Sequence, residues 1–196
     1  AINVTDGAGA KSHMSALATA AILAQNGIEP ILQFTTRDRN RIAIQGDLLG
    51  GWALDIPNIL CLYGDEVNGG DQPDTKEVRD LDTIGILRTA HEIKTKKMYP
   101  SGRKINDAPE FFIGGADTPF KINNDFDGFN LVKKIEAGVE FFQTQYVFEE
   151  DILKNYMLKL HELHITDKAY FIIGLGVIKS AKSARWMNKN LFGINI

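Results

Sequence analysis

The chain has 196 residues, 44% of them hydrophobic, and a formal net charge of −3. This length can bury one substantial core and falls short of two ordinary domains, so we expect a single domain over residues 1–196. Because basic residues are scattered among acidic ones and no apolar run approaches the roughly 18 residues of a membrane helix, we expect a cytoplasmic protein that binds neither nucleic acid nor membrane.

Short apolar runs alternate along the chain with segments of helical spacing. The runs lack alternating polar residues and therefore predict strands buried on both faces. They cover residues 2–5, 31–35, 59–62, 111–113, 141–147 and 170–173. The predicted helices cover residues 12–26, 37–54, 80–96, 125–137, 149–163 and 180–190. Gly27 and Gly138 stand where helices should end, and Ser12, Asp125 and Ser180 where helices should begin.

The alternation of strands and helices predicts a parallel sheet with right-handed crossovers. A doubly wound sheet and a barrel both satisfy this rule. A barrel is favoured because the chain opens directly in a strand, without an initiator methionine, and residues 192–196 are expected to lead into a further element. Eight βα units are the common closed form at about 250 residues. We therefore expect an incomplete (β/α)8 TIM barrel, with about six βα units present and truncation at both ends.

Polar residues and glycines follow each predicted strand, at the sheet edge where parallel α/β folds bind ligands. They are Thr5 and Asp6; Gln33, Thr35 and Thr36; Gly64 and Asp65; Gly114, Gly115 and Asp117; Gln143 and Gln145; and residues 174–179. The set holds no histidine, and the only cysteine, Cys61, lies in an apolar run, so we expect no metal site. Amide, hydroxyl and carboxylate groups beside glycines suit a planar heteroaromatic ligand such as a flavin or pterin.

Asp65 is the sharpest candidate among these residues. It follows Gly64, whose missing side chain lets a ligand approach closely. The alternative is a structural role, as a helix cap or in a loop salt bridge. Residues 37–41 also have two interpretations, a basic anion site or the self-paired first turns of an exposed helix. Glycines in residues 174–176 could cradle a phosphate or form a tight turn.

The strand-end segments resemble methylenetetrahydrofolate reductase, and they keep the family's order and spacing across nearly the whole chain. The matching segments are Asn3-Val4-Thr5-Asp6, Thr35-Thr36-Arg37-Asp38-Arg39-Asn40-Arg41, Leu62-Tyr63-Gly64-Asp65, Ile135-Glu136-Ala137-Gly138, Gln143-Thr144-Gln145 and Lys179-Ser180-Ala181. The resemblance is closest to the short, single-domain bacterial form found in acetogen-like organisms.

This resemblance implies a (β/α)8 barrel that binds FAD, with FMN as the other candidate. It also implies reduction of 5,10-methylenetetrahydrofolate to 5-methyltetrahydrofolate by hydride transfer from reduced flavin, in one-carbon metabolism and methionine biosynthesis. Electrons would come from NAD(P)H or from a partner electron-transfer subunit, and the protein is expected to be an oligomer.

Site residues follow from the resemblance position by position. Asp65 matches an aspartate near the flavin and the pterin, where it stabilises the 5-iminium cation of the substrate, and Gln145 matches a glutamine that hydrogen-bonds the pterin. Flavin contacts are implied for Thr5, Gln33, Thr35, Gly64, Asp65, Asp127 and Lys134. Asp127 and Lys134 are seven residues apart on one predicted helix, so both should point towards the same ligand.

The chain also departs from the family pattern. The general-acid glutamate belongs to a strand that this sequence does not contain, Gln33 stands where other members carry histidine, and Gly114-Gly115-Ala116 replaces a flavin-stacking aromatic residue. These departures keep open a catalytically silent barrel that serves as a subunit of an electron-transfer or methyl-transfer assembly. A phosphate-binding lyase or isomerase, with Lys179 as its catalytic lysine, is a third possibility.

Overall fold

The computed structural model describes residues 1–191 and 193–196. The prediction that residues 192–196 lead into a further element includes Phe192, which lies outside the described residues. The chain forms two compact units, Ala1–Gly114 and Gly115–Ile196. Their elements alternate between strand and helix, as the sequence predicts.

The strands are β1 (Ile2–Val4), β2 (Pro30–Thr35), β3 (Asn58–Leu62), β4 (Phe112–Asp117), β5 (Phe141–Tyr146) and β6 (Tyr170–Gly174). The helices are α1 (Ala16–Gln25), α2 (Arg41–Ala53), α3 (Thr83–Lys96), α4 (Phe129–Glu136), α5 (Glu150–Glu162) and α6 (Ala181–Asn190). Short 3₁₀ turns cover Ala8–Ala10 and Val67–Gly69.

Strand order separates the two fold classes that periodicity leaves open. The strands neighbour one another in chain order, β1-β2-β3-β4-β5-β6. A doubly wound sheet reverses its strand order at a switch point, and no reversal occurs among these strands. The alternation and the order are therefore consistent with an incomplete (β/α) barrel, whereas the full count of eight βα units stays a prediction.

In the first unit, β1 pairs in parallel with β2, and β2 with β3. The register places Val4 beside Leu32 and Leu32 beside Ile59, so these side chains share one face. That face packs on the helices, since Leu32 lies against Gly51 of α2. Gln33 and Thr35 alternate with Leu32 along β2 and therefore point to the opposite face.

In the second unit, β5 pairs in parallel with β6, and a register shift falls between Gln143 and Tyr146. Phe142 and Phe171 stack across this pair, with ring centroids 5.2 Å apart. Phe142 is fully buried. These aromatic side chains anchor the pairing through a large apolar contact.

Several predicted boundaries are wrong at the helix starts. Helix α1 is capped by Ser15 and not by Ser12, and α4 begins at Phe129 after a left-handed Gly128, not at Asp125. The other marked positions are confirmed, since Ser180 caps α6 and both Gly27 and Gly138 have positive φ after their helices.

The prediction that every strand is buried on both faces is also wrong for β1 and β6. Ile2 of β1 is 46% exposed and Tyr170 of β6 is 73% exposed. The prediction of full burial holds best for β2 and β3, in which most residues are buried. Within residues 1–191 and 193–196, no helix combines the length and apolar character needed to cross a membrane.

Two isoleucines on α2 provide a matched test of the core of the first unit. Ile44 is 0% exposed and Ile42 is 78% exposed. We expect Ile44→Ala to lower the free energy of unfolding by about 2–5 kcal/mol, because it removes buried methyl groups and leaves a cavity. Ile42→Ala should change it by less than about 0.5 kcal/mol. Urea unfolding of both variants checks this, and equal losses would contradict the assignment of the buried helix face.

Candidate functional site

Asp65 lies at the end of β3, in a loop whose path requires glycine. Gly64 has φ 89°, and a Cβ at this position would lie 3.0 Å from Thr35 Cβ and 3.2 Å from Arg37 Cβ. Close packing against the end of β2 and the left-handed conformation both disfavour a side chain there. The structure therefore brings the predicted residues Thr35, Gly64 and Asp65 together.

The Asp65 side chain is exposed and is held by the loop that follows β1. Its Oδ2 accepts a hydrogen bond of 2.7 Å from the Gly9 N–H. Asp71 adds a second link between the same loops, because its carboxylate accepts from the Ser12 N–H at 3.3 Å. One carboxylate oxygen of Asp65 thus has a fixed partner, while the side chain stays open to a ligand.

Asp6 organises the ends of β1 and β2. Its Oδ2 accepts from the Thr35 N–H at 3.0 Å, from the Thr35 hydroxyl at 2.9 Å and from Arg39 Nη1 at 2.6 Å. Burial acts to lower the pKa of Arg39, but the hydrogen bonds and charges of Asp6 and Asp47 raise it above its usual range. The Thr35 hydroxyl donates to Asp6, so its oxygen can serve a ligand only as an acceptor.

Arg37 corrects the interpretation of residues 37–41. It is 3% exposed and lies in the loop before α2, which begins at Arg41, so these residues are not the first turns of an exposed helix. Self-pairing is confirmed only for Arg37 with Asp38, whose hydrogen bond raises the pKa of Arg37. Arg37 Nη1 also donates to the carbonyls of Gly7 at 3.2 Å and Asp65 at 3.3 Å. These contacts leave little of the guanidinium for an anion.

Arg79 is a functional candidate that the sequence did not reveal. Its guanidinium donates to the carbonyls of Tyr63 at 3.0 Å, Gly64 at 3.5 Å and Asp65 at 3.5 Å. It also lies 3.8 Å from the centre of the Tyr63 ring. An ion pair with Glu77 raises the pKa of Arg79 and lowers that of Glu77. One side chain therefore fixes three consecutive carbonyls of the Asp65 loop.

The two remaining candidates of the first unit are Gln33 and Thr5, whose side chains are not fixed by hydrogen bonds among the described residues. Gln33 is 7% exposed and lies on the face of β2 that points away from the helices, as Thr35 does. Thr5 follows β1 and is exposed. Among the described residues, neither the Gln33 nor the Thr5 side chain makes a hydrogen bond to another group.

The second unit contains a cavity of about 760 Å³ beyond the ends of β4 and β5. Both Asp127 and Lys134 line it. They do not share a helix as predicted, because Asp127 precedes α4 and its Oδ1 accepts from the Phe129 N–H at 2.9 Å. The aromatic lining residues are Phe120, Phe126, Phe129, Tyr146, Phe148 and Tyr156.

Lys134 lines this cavity together with a second polar group, the pair formed by Asp117 and Tyr156. Its Nζ donates to the Ala116 carbonyl at 2.6 Å. The Tyr156 hydroxyl lies 3.0 Å from each oxygen of Asp117. Burial lowers the pKa of Lys134 and raises that of Asp117, and the attraction between the two charges opposes both shifts. The cavity therefore combines an apolar wall with one partly buried cation and anion.

Gln145 lies on β5 outside the set that lines this cavity. Its Oε1 accepts from the Tyr146 N–H at 2.9 Å. The neighbouring Thr144 hydroxyl accepts from the Gly174 N–H at 2.9 Å. Because Gly174 belongs to β6 and its N–H already has this partner, the structure does not favour a phosphate cradle at residues 174–176.

Among residues 1–191 and 193–196, no side chains are candidates for metal or thiol chemistry. Within the part of the chain that the structure describes, no group of three or more His, Cys, Asp or Glu side chains could hold a metal ion. Cys61 is fully buried in β3, and burial raises the pKa of its thiol to about 12. A thiol with so high a pKa is a poor nucleophile at neutral pH.

Comparison with known proteins gives one finding. The family model described as Methylenetetrahydrofolate reductase matches residues 1–196, the whole chain. No curated protein matches the chain significantly.

If the Arg79 contacts hold the Asp65 loop, their removal should speed amide hydrogen exchange in that loop. Arg79→Ala removes charge-assisted hydrogen bonds worth about 1.5–3 kcal/mol, so amide hydrogen exchange over residues 64–70 should speed up by about ten- to a hundredfold. Arg88→Ala, which removes an exposed arginine from α3, is the matched control and should leave this exchange unchanged. Identical exchange in the Arg79 variant and the control would show that Arg79 does not hold the loop.

Proposed function

This chain belongs to the methylenetetrahydrofolate reductase family, and we propose that it reduces 5,10-methylenetetrahydrofolate to 5-methyltetrahydrofolate with electrons from a bound flavin. The family match over residues 1–196 is the observation that carries the proposal. Membership supports an oxidoreductase that acts on methylenetetrahydrofolate. FAD or FMN as the flavin, NAD(P)H or a partner subunit as its reductant, and a role in one-carbon metabolism belong to the proposal.

The size and lining of the cavity in the second unit support the proposal that it binds part of a flavin. Its volume of about 760 Å³ lies in the range of small-molecule sites, which combine apolar walls with a few polar groups. We propose that Lys134 binds a phosphate oxygen there and that Asp127, whose second oxygen lacks a described partner, accepts from a ribityl hydroxyl. When bound and reduced, the flavin would supply the hydride.

In the first unit, we propose that Asp65 acts through its charge. Opening of the methylene bridge of the substrate leaves a 5-iminium cation, and a carboxylate held in place beforehand stabilises such a cation without reorganisation. Asp65 meets this requirement, because Gly9 holds one of its oxygens and Arg79 holds its backbone. Because Asp65 serves here as an anion, it is not the proton donor of the proposed reaction.

Hydrogen-bonding roles are proposed for the remaining candidates. Gln33 and Thr5 have side chains able to contact a flavin, and Thr35 can accept from it through its hydroxyl oxygen. Gln145 is proposed to hydrogen-bond the pterin through its amide. The side-chain types suit these roles because the flavin and pterin rings carry both donors and acceptors along their edges.

The alternative to this proposal is a catalytically silent subunit of an electron-transfer or methyl-transfer assembly. The missing aromatic residue at Gly114-Gly115-Ala116 is one of the departures that motivate this alternative. Aromatic side chains from the loops after β4 and β5, such as Phe120 and Phe148, line the cavity instead. Their presence supports flavin binding in a chain that lacks the usual stacking residue.

Anaerobic mixing of the flavin-loaded protein with 5-methyltetrahydrofolate tests the proposed reaction in reverse. We expect loss of the visible flavin absorbance together with formation of methylenetetrahydrofolate. Retention of the oxidised flavin spectrum, with flavin bound and substrate in excess, would favour the silent subunit.

Asp65→Asn tests the proposed charge. Asparagine can still accept from the Gly9 N–H through its amide oxygen, so the substitution removes the charge while keeping the shape. The rate of flavin reduction by 5-methyltetrahydrofolate should fall by about a hundredfold or more, with flavin affinity unchanged. Asp74→Asn, an exposed aspartate of the same loop, is the matched control. A rate equal to that of the control would exclude Asp65 as the electrostatic partner.

Lys134→Ala tests the phosphate contact. Loss of a charge-assisted hydrogen bond of about 1.5–3 kcal/mol should weaken FMN binding by about ten- to a hundredfold and leave riboflavin binding nearly unchanged. Lys133→Ala, which removes the exposed neighbour on α4, controls for the general loss of positive charge. Fluorescence titration with both flavins gives the two dissociation constants. Equal weakening of riboflavin and FMN would rule out a phosphate contact.

A further inference from the structure

Asp117 and Tyr156 form a polar pair in the wall of the cavity, next to aromatic side chains. Asp117 ends β4, and both of its oxygens lie 3.0 Å from the Tyr156 hydroxyl. Tyr156 is buried on α5, and its ring packs on Phe120 and Phe126 with centroids 5.8 and 5.6 Å away. The tyrosine ring is held by packing, and its hydroxyl and the Thr118 N–H both hold the Asp117 carboxylate.

The same strand end also holds Lys134. The Ala116 carbonyl, one residue before Asp117, accepts from Lys134 Nζ at 2.6 Å. The lysine stem passes close to Gly115, where a Cβ would lie 3.8 Å from Lys134 Cδ. Gly115 and Ala116 of β4 therefore guide the stem and bind the ammonium group, and the next residue, Asp117, carries a carboxylate whose charge acts on Lys134.

We propose that Asp117 and Tyr156 are positioning residues that keep Lys134 as an ammonium group at the cavity wall, ready to bind an anionic ligand. The identity of that anion as a flavin phosphate rests on the proposed function, whereas the positioning is a property of the chain. Tyr156 fixes the carboxylate of Asp117, and the charge of that carboxylate acts on Lys134.

Burial and neighbouring charges shift the pKa values of Lys134 and Asp117 in opposite directions. Burial lowers the pKa of Lys134, and the charge of Asp117 raises it. Burial raises the pKa of Asp117, while the Tyr156 hydroxyl, the Thr118 N–H and Lys134 lower it. The other charged residues that line the cavity are Lys121, Asp127 and Glu149. Removal of the Asp117 charge should therefore move the pKa of Lys134 further down, and the lysine would lose its proton at a lower pH.

A lysine titration by nuclear magnetic resonance tests the positioning in the full chain without flavin. The ¹³Cε signal of Lys134, identified by its absence in Lys134→Arg, should titrate roughly one pH unit lower in Asp117→Asn than in the wild type. Tyr156→Phe should shift it in the same direction by less. Asp125→Asn removes an exposed carboxylate from the neighbouring loop and should leave the titration unchanged. An unchanged Lys134 titration in both Asp117→Asn and Tyr156→Phe would overturn the proposal.

The pH dependence of flavin binding is the second readout. FMN affinity of Asp117→Asn should decline at a lower pH than that of the wild type, whereas riboflavin affinity should follow the same pH profile in both. If Lys134 shifts as expected but the wild type binds no flavin, the positioning stands and the proposed function fails. If the wild type binds FMN and Asp117→Asn changes neither the titration nor the pH profile, the positioning fails. Circular dichroism shows whether Asp117→Asn folds. If it does not, the Lys134 titration in Tyr156→Phe decides whether the positioning proposal holds.

Discussion

The first unit depends on guanidinium groups that satisfy backbone carbonyls at the ends of its strands. Arg79 binds the carbonyls of Tyr63, Gly64 and Asp65, and Arg37 binds those of Gly7 and Asp65. Loop carbonyls lack the regular partners that a sheet provides, and a planar group with five donors can serve several of them at once. These contacts hold the loops after β1 and β3 in place, and the proposed role of Asp65 requires that its carboxylate be held in this way.

Most of the fold was accessible from the sequence because buried parallel strands leave continuous apolar runs. Local rules failed where tertiary contacts determine the conformation. Arg37 and Asp38 have helical spacing with the residues that follow, yet Arg37 is buried among loop carbonyls and the helix starts four residues later, at Arg41. Asp127 falls outside α4 for a related reason, because Gly128 takes a left-handed conformation that ends any helix running through it.

The candidate site was predictable in part. The strand-end rule found Asp65 and Gly64, because polar residues after buried strands stand out in a single sequence. Arg79 carries no such signal, since it lies in an irregular segment and works through backbone carbonyls. The contact between Asp117 and Tyr156 joins residues 39 positions apart, and no spacing rule links the end of β4 to a buried tyrosine on α5. Both were found only from the folded arrangement.

The visible absorption spectrum of the purified chain, with mass identification of any released flavin, tests whether this protein binds a flavin. We expect a flavin spectrum with one FAD or FMN per chain, or the same spectrum after either flavin is added to protein that lost it during purification. A colourless protein whose addition leaves the absorbance and fluorescence of FAD and FMN unchanged would contradict the proposed function.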